Sequence, residues 1–165
     1  MSIELTDCGP GDYDAVAQIY NHYVRTSHAT FDVLPFSVVE RIPWFTQFAD
    51  NGAYRLLLAR LDGVIAGYAC STPFKSRPAY QQSIETTVYV AADALGQGIG
   101  KKLYETLFRQ LGDCGLHRAY ASIALPNDAS VRLHEAFGFR QVGICHEVGF
   151  KFDSYWDVAI FEKCL

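Results

Sequence analysis

A chain of 165 residues, half of them hydrophobic and 19% charged, has the length for one domain and enough apolar material for a real core. That excludes a two-domain enzyme and a charge-rich disordered tail. A formal net charge of -4 is the wrong sign for a general nucleic-acid binder, and no apolar run approaches the ~20 residues that span a bilayer.

The first residues, MSIELTDCGP, contain no basic leader and no apolar stretch, so neither a signal nor a transit peptide is expected. Five scattered cysteines (Cys8, Cys70, Cys114, Cys145, Cys164) include no CxxC pair. They indicate neither a disulfide framework nor a zinc site, so the expected compartment is a reducing cytoplasm and no metal is expected. No repeat or low-complexity tract divides the chain, and residues 1–165 are read as one domain.

In chain order, apolar alternation at Ile3 and Leu5 is followed by Val16, Ile19, Tyr20 and Tyr23 at helical spacing, predicting a helix from Asp12 to Val24. Ser37 and Glu40 form a capping box that starts a second helix, with Pro43 in its first turns or kinking it. Two apolar runs, Tyr54 to Arg60 and Val64 to Thr72, flank Asp62-Gly63 and predict a tight hairpin. From Ser83 to Val90 the pattern has period two: Ile84, Thr86, Val88 and Val90 face one way, Glu85, Thr87 and Tyr89 the other. Gly96-Gln97-Gly98-Ile99-Gly100 then leads into a helix, Lys101 to Leu111, whose apolar residues recur every four. A strand (Arg118 to Leu125), a helix (Asn127 to Phe137) and two closing strands (Gln141 to His146, Lys151 to Glu162) complete the reading.

A strand that ends in a glycine turn and opens a helix leaves unpaired amides at the positive end of a helix dipole, an anion site suited to phosphate. It is not a P-loop: Leu95 stands where the first glycine belongs and Lys102 where the hydroxyl belongs. Nor is it a dinucleotide fingerprint, because Lys101 occupies the third glycine position. On glycines alone, an ordinary turn explains the segment as well as a phosphate cradle does.

The ordered set VYV (Val88 to Val90), GQGIGK (Gly96 to Lys101) and NDASVRLHEAFGF (Asn127 to Phe139) resembles the GCN5-related N-acetyltransferases. IYNHYV (Ile19 to Val24), SHATFD (Ser27 to Asp32), RPAYQQSIETTVYV (Arg77 to Val90) and GFKFDSYWDV (Gly149 to Val158) are similar to the phosphinothricin and amino-acid acetyltransferase branch. The resemblance spans nearly the whole chain. It implies a mixed α/β domain of α+β type, with a mostly antiparallel central sheet flanked by helices. Acetyl-CoA is the implied co-substrate and a small-molecule amine the acceptor, with neither nucleic acid nor membrane as partner.

Residue by residue, the resemblance implies that Gly96, Gln97, Gly98, Ile99, Gly100 and Lys101 cradle the pyrophosphate, and that Val88, Tyr89 and Val90 pair with the pantetheine arm. Asn127 and Ser130 are implied coenzyme contacts, although an asparagine opening a helix is equally a plain N-cap. Glu85 is the implied general base; the alternative is an outward-facing glutamate or a partner for Arg77. His134 stands where the wider family often has a tyrosine and is implied as proton donor or sulfur contact, against the alternative of a satisfied core histidine. Phe31, Arg77 and Tyr80 hold positions implied to wall a small amino-acid pocket, against core packing for the rings and solvation for the cation. Two departures stand out: Leu95 replaces the usual Arg or Gln opening the turn, and Asp153 follows Lys151-Phe152 where the branch has glycine. Family members often pair, and the apolar C-terminal strands offer an interface. Competing readings are an enzyme for another amine (aminoglycoside, polyamine or protein N-terminus) and a non-catalytic coenzyme A sensor.

Overall fold

Residues 2–165 are described in the computed structural model, and their elements follow the predicted order. The strands are β1 (Ile3–Asp7), β2 (Leu56–Leu61), β3 (Val64–Pro73), β4 (Ser83–Val90), β5 (Arg118–Ala124), β6 (Arg140–Lys151) and β7 (Ser154–Cys164). The α-helices are α1 (Tyr13–Thr26), α2 (Val38–Phe45), α3 (Ile99–Leu111) and α4 (Asp128–Ala136). One sheet in the order β1-β2-β3-β4-β5-β7-β6 contains all seven strands, and every neighbouring pair is antiparallel except β4 with β5. The expected mixed architecture is the observed one.

Period-two alternation divides the core between the two faces. On one face α3 lays Ile99, Leu103, Leu107 and Leu111, none more than 2% exposed, onto Leu57, Ala69 and Ile84. Burying each such leucine contributes roughly 1.5–3 kcal/mol. On the other face Val16 and Ile19 of α1 and Phe45 of α2 meet Leu56, Leu58, Tyr68 and Cys70. α3 crosses β3 closely at Gly67, where a Cβ would stand 2.9 Å from the Tyr89 carbonyl oxygen and 3.2 Å from Ile99.

The capping box at Ser37 forms, with the Glu40 amide donating to Ser37 Oγ at 3.3 Å and the Ser37 amide donating to Glu40 Oε2 at 2.8 Å. Asp62 and Gly63 both take positive φ, as the predicted two-residue hairpin requires. Pro43 falls inside α2 as the sixth of its eight residues, in the second turn, where it has no amide to give the Val39 carbonyl.

The closing strands differ from expectation. β6 runs on through Lys151, and the turn is Phe152-Asp153, both at φ 54. Neither residue is the Gly or Asn that normally marks such a turn, so the pattern concealed it. β6 also slips register against β7 between Cys145 and Gly149. In that bulge Asp157 accepts from the Glu147 amide at 2.7 Å. No helix among the described residues is long and apolar enough to cross a membrane.

Candidate active site

The parallel pair is where the sheet opens. β4 and β5 are in register only from Ser83 to Glu85 and from Arg118 to Tyr120, whereas β4 stays paired with β3 as far as Val90. Beyond Glu85 the two strands diverge, leaving a cleft of about 390 Å³ bounded by Thr86 to Val90, Ala121 to Ala124 and the first turns of α4.

Strand polarity fixes which backbone groups face that gap. The Ala91 amide donates to Ala66 of β3 at 2.8 Å, so by antiparallel alternation Tyr89 and Thr87 also turn their peptide groups to β3. The groups of Thr86, Val88 and Val90 turn the other way, and the Val90 carbonyl accepts from the Tyr23 hydroxyl at 2.6 Å. Unpaired strand groups lining a cleft call for a partner. Of the three residues expected to meet the pantetheine arm, Val88 and Val90 offer amides to the gap, while Tyr89 turns its amide away and its ring toward α1, 5.3 Å from Tyr20 and 5.1 Å from Tyr23.

At the mouth of the cleft, Gly96 and Gly98 take φ of 76 and 77, the left-handed region that glycine enters without strain, and nothing lies within 4 Å of where their Cβ atoms would be. The first hydrogen bond of α3 runs from the Lys102 amide to the Gly98 carbonyl at 3.1 Å, leaving the Ile99, Gly100 and Lys101 amides without an intrahelical acceptor. Gln97 adds a buried Oε1 with no partner. Gly100 serves packing, since a Cβ there would meet Leu133 at 3.3 Å and Val88 at 3.8 Å. Lys101 is exposed and lies 3.8 Å from Glu105. Leu95 borders the cleft, so an apolar side chain replaces a polar one at that rim. Open space, orphan amides and a helix N-terminus fit a pyrophosphate.

α4 closes the other side. Asn127 is its N-cap, accepting from the Ser130 amide at 3.2 Å, and both residues line the cleft. His134, 3% exposed, has its Nδ1 2.7 Å from the Ser130 carbonyl and 3.3 Å from Ser130 Oγ, and its Nε2 2.9 Å from the Tyr104 hydroxyl. A carbonyl only accepts, so Nδ1 bears the proton and Nε2 accepts from Tyr104. Desolvation lowers the His134 pKa and raises that of Tyr104, so both are neutral near pH 7. With both ring nitrogens engaged inside the protein, release of its own proton would break the bond to Ser130.

Glu85 is half-buried on β4, on the opposite sheet face from Thr86, whose Oγ1 lies 3.4 Å from the Tyr104 hydroxyl. Its carboxylate has no ion-pair partner among the described residues, and the Glu85–Arg77 pair weighed above does not form. Arg77 is exposed in the turn before the short 3-10 helix Pro78–Tyr80. Tyr80 packs on Phe74 at 5.9 Å, and Phe74 stacks on Tyr120, the register partner of Glu85. Phe31 lies against Gly149, whose absent side chain makes room for the ring: a Cβ there would overlap it.

Several residues that hold the site together were not singled out by sequence. Lys151, 4% exposed, donates to the Ser27 and Thr30 carbonyls at 2.7 and 2.8 Å, pinning the loop that carries His28 and Phe31. Asn21 grips the far end of that loop, donating to the Phe36 carbonyl at 2.7 Å and accepting from its amide at 2.9 Å. His28 stacks on Trp156 at 4.0 Å and lies 2.9 Å from the Pro126 carbonyl, bracing the wall of the cleft. The sequence signals for them are Asn21-His22-Tyr23 in α1 and Lys151-Phe152 near the C-terminus.

Residues 16–139 match the model of the Acetyltransferase (GNAT) family. The chain belongs to the GNAT family of acetyltransferases. It is 52% identical over 156 residues to a phosphinothricin N-acetyltransferase of Streptomyces coelicolor, covering 93% of this chain and 91% of that protein. It is 31% identical to an L-methionine sulfoximine/L-methionine sulfone acetyltransferase of Salmonella typhimurium, covering 98% and 93%. A Sinorhizobium meliloti GNAT phosphinothricin acetyltransferase, crystallised with AcCoA, superposes with a TM-score of 0.94 at 30% identity, covering 100% of this chain and 89% of that one. The divergence of β4 from β5 and the glycine turn therefore sit in a GNAT frame from end to end.

Proposed function

We propose that the protein acetylates the primary amine of a small amino acid or analogue, of the phosphinothricin, methionine sulfone or methionine sulfoximine type, with acetyl-CoA as donor. The observation that carries this reading is a cleft with a glycine turn and orphan helix amides at its mouth, next to which β4 holds, one residue before the cleft lining begins, a carboxylate with no ion-pair partner among the described residues. Relatives at 52% and 31% identity named for such substrates support the acceptor class.

Bound acetyl-CoA supplies a thioester whose C–S bond breaks as the C–N bond of the amide forms, leaving coenzyme A. The amides of Ile99, Gly100 and Lys101 meet the pyrophosphate, with Gly96, Gln97 and Gly98 shaping the loop around it. Asn127 and Ser130 border the arm. The Val88 amide, turned into the gap, donates to the carbonyl oxygen as negative charge builds there, a preorganised donor that need not reorient. Glu85 takes the ammonium proton, directly or through water, so that the amine attacks as a neutral nucleophile. At the sulfur end, Ser130 and His134 both line the cleft, and the proton that the departing thiolate takes up would come through their hydroxyl and imidazole. Phe31, Arg77 and Tyr80 border the acceptor.

The five thiols are all free and two, Cys145 and Cys164, are exposed, which suits the reducing cytoplasm inferred from the cysteine pattern. Val142, Ile144, Val148 and Phe150 leave the edge strand β6 apolar and exposed. Such an edge favours pairing with a second copy, giving a particle of twice the 18.4 kDa chain mass by light scattering.

The base assignment is tested with Glu85→Gln. Coenzyme binding should persist, and kcat/KM should fall roughly 10²–10⁴-fold at neutral pH, recovering as pH rises and free amine accumulates. A variant whose rate and pH profile match the wild type would reject Glu85 as base. A coenzyme A sensor, the second reading, would show binding and no turnover in either protein.

A further inference from the structure

A short strap crosses the seam where β4 and β5 part. Its residues Ser27, His28 and Ala29, between α1 and α2, all line the cleft. At one end the Ala29 carbonyl accepts from the Tyr89 hydroxyl of β4 at 3.3 Å. At the other end the half-buried His28 ring reaches the far wall. Its Nε2 lies 2.9 Å from the carbonyl of Pro126, just past β5, and its ring stacks on Trp156 of β7 at 4.0 Å, the two planes 3° apart. A carbonyl only accepts, so Nε2 donates. The two walls share no ladder beyond Glu85, and this loop joins them.

The strap lies on the side left to the acceptor. Tyr89 meets it from the sheet face that β4 alternation also gives to Glu85 and Thr87. The orphan amides of Ile99, Gly100 and Lys101 open α3, which packs with Ile84 on the opposite face. A coenzyme held by those amides therefore fills the cleft from the α3 face. The strap is also held still. Lys151 donates to the Ser27 and Thr30 carbonyls on either side of His28, and Trp156 Nε1 donates to the Lys151 carbonyl at 2.8 Å. Imidazole, indole and lysine form one chain of contacts, so the ring is a fixed surface.

On the other side of that ring is a second depression, of about 590 Å³. Pro126 borders both spaces and Trp156 borders the second, so His28, seated on these two residues, is the partition between them. The second space is walled by the rings of Tyr155 and Trp156 and by the carboxylates of Asp128, Glu147 and Asp157. Asp157 accepts from the Glu147 amide and lies 3.1 Å from His146 Nδ1. Rings beside carboxylates favour a cation at the end of a long side chain.

We propose that His28 is a specificity-determining residue: its imidazole is the end wall of the acceptor space and turns away amines whose side chain reaches past Pro126 and Trp156. The inference rests on the acetyl-transfer reading above and adds an upper size limit to it. A short acceptor such as methionine sulfone stays in front of the ring. A long cationic one such as arginine needs the space behind it.

The test measures kcat/KM for L-methionine sulfone and L-arginine on wild type, His28→Ala and His28→Phe. Wild type should prefer the sulfone by about tenfold or more. His28→Ala should cut that preference by about tenfold, through a gain on arginine. His28→Phe keeps a ring on Trp156 without the bond to Pro126 and should retain the preference. A ring that merely ordered the loop would, on removal, lower both acceptors together; an unchanged ratio in His28→Ala overturns the proposal. So does a His28→Phe as permissive as the alanine variant, or a wild type that takes arginine as readily as the sulfone. Those results leave the enzyme reading standing; a wild type that acetylates no amine at all removes both.

Discussion

Lys151→Met isolates what one buried lysine does for the site. Its ammonium is the partner of the Ser27 and Thr30 carbonyls, and it sits at the C-terminal end of α1, where the helix dipole favours a cation. Methionine fills a similar volume and removes the charge with the two short hydrogen bonds and the 3.5 Å one to the Tyr23 carbonyl. Two buried carbonyls left unpaired cost ~1–3 kcal/mol each. Against this, the desolvation that lowers the Lys151 pKa no longer has to be overcome, which offsets part of the loss. The net expectation is a destabilisation of about 2–4 kcal/mol, or roughly 4–16 °C in Tm for a domain of this size. Urea unfolding of both proteins reads it, and hydrogen exchange at residues 27–32 should accelerate before the rest of the chain. Because that loop carries Phe31, the acceptor KM should rise more than the acetyl-CoA KM. A midpoint within about 0.5 kcal/mol of wild type with unchanged exchange in the loop would refute the reasoning, since surface-type substitutions stay within that range.

Other perturbations follow from the same geometry. Gly67→Ala places a Cβ against backbone on β4, at Tyr89 and Val90, and against Ile99 at the start of α3; it should cost about 1–3 kcal/mol by denaturant unfolding and weaken acetyl-CoA binding. His134 has a folded pKa below its ordinary 6.5, so the unfolded chain binds the extra proton first. Its contribution is intact above pH 6.5 and declines as pH falls from there to the folded value, with no further loss below; in His134→Gln this part of the pH dependence of unfolding should disappear. Asp153→Gly relieves a residue held at φ 54 and should raise stability by up to ~1 kcal/mol, seen as a higher denaturant midpoint at unchanged slope.

Period and punctuation made much of this fold legible. The alternation from Ser83 to Val90 assigned Ile84 and Glu85 to opposite faces, and the Ser37–Glu40 box placed the start of α2, because both signals are local physics. The glycine turn was legible as a strand-to-helix turn for the same reason. What escaped was non-local. That β4 and β5 part company after Glu85 depends on pairing between strands more than thirty residues apart, and only that divergence leaves the Val88 and Val90 amides facing a gap instead of a neighbouring strand. A buried lysine runs against residue preference, so Lys151 could not be read as a clamp for a loop that lies over a hundred residues earlier. Phe152-Asp153 hid its turn because neither residue advertises a positive φ.

The most direct measurement is a product assay: purified protein, acetyl-CoA and a panel of methionine sulfone, methionine sulfoximine, phosphinothricin, ordinary amino acids, an aminoglycoside and a peptide, resolved by chromatography rather than by a thiol dye that the five cysteines would consume. The account predicts an N-acetylated small amino acid or analogue formed one for one with free coenzyme A. Binding of acetyl-CoA with no acetylated amine would contradict the enzyme, and failure to bind acetyl-CoA would contradict the coenzyme cleft on which it rests.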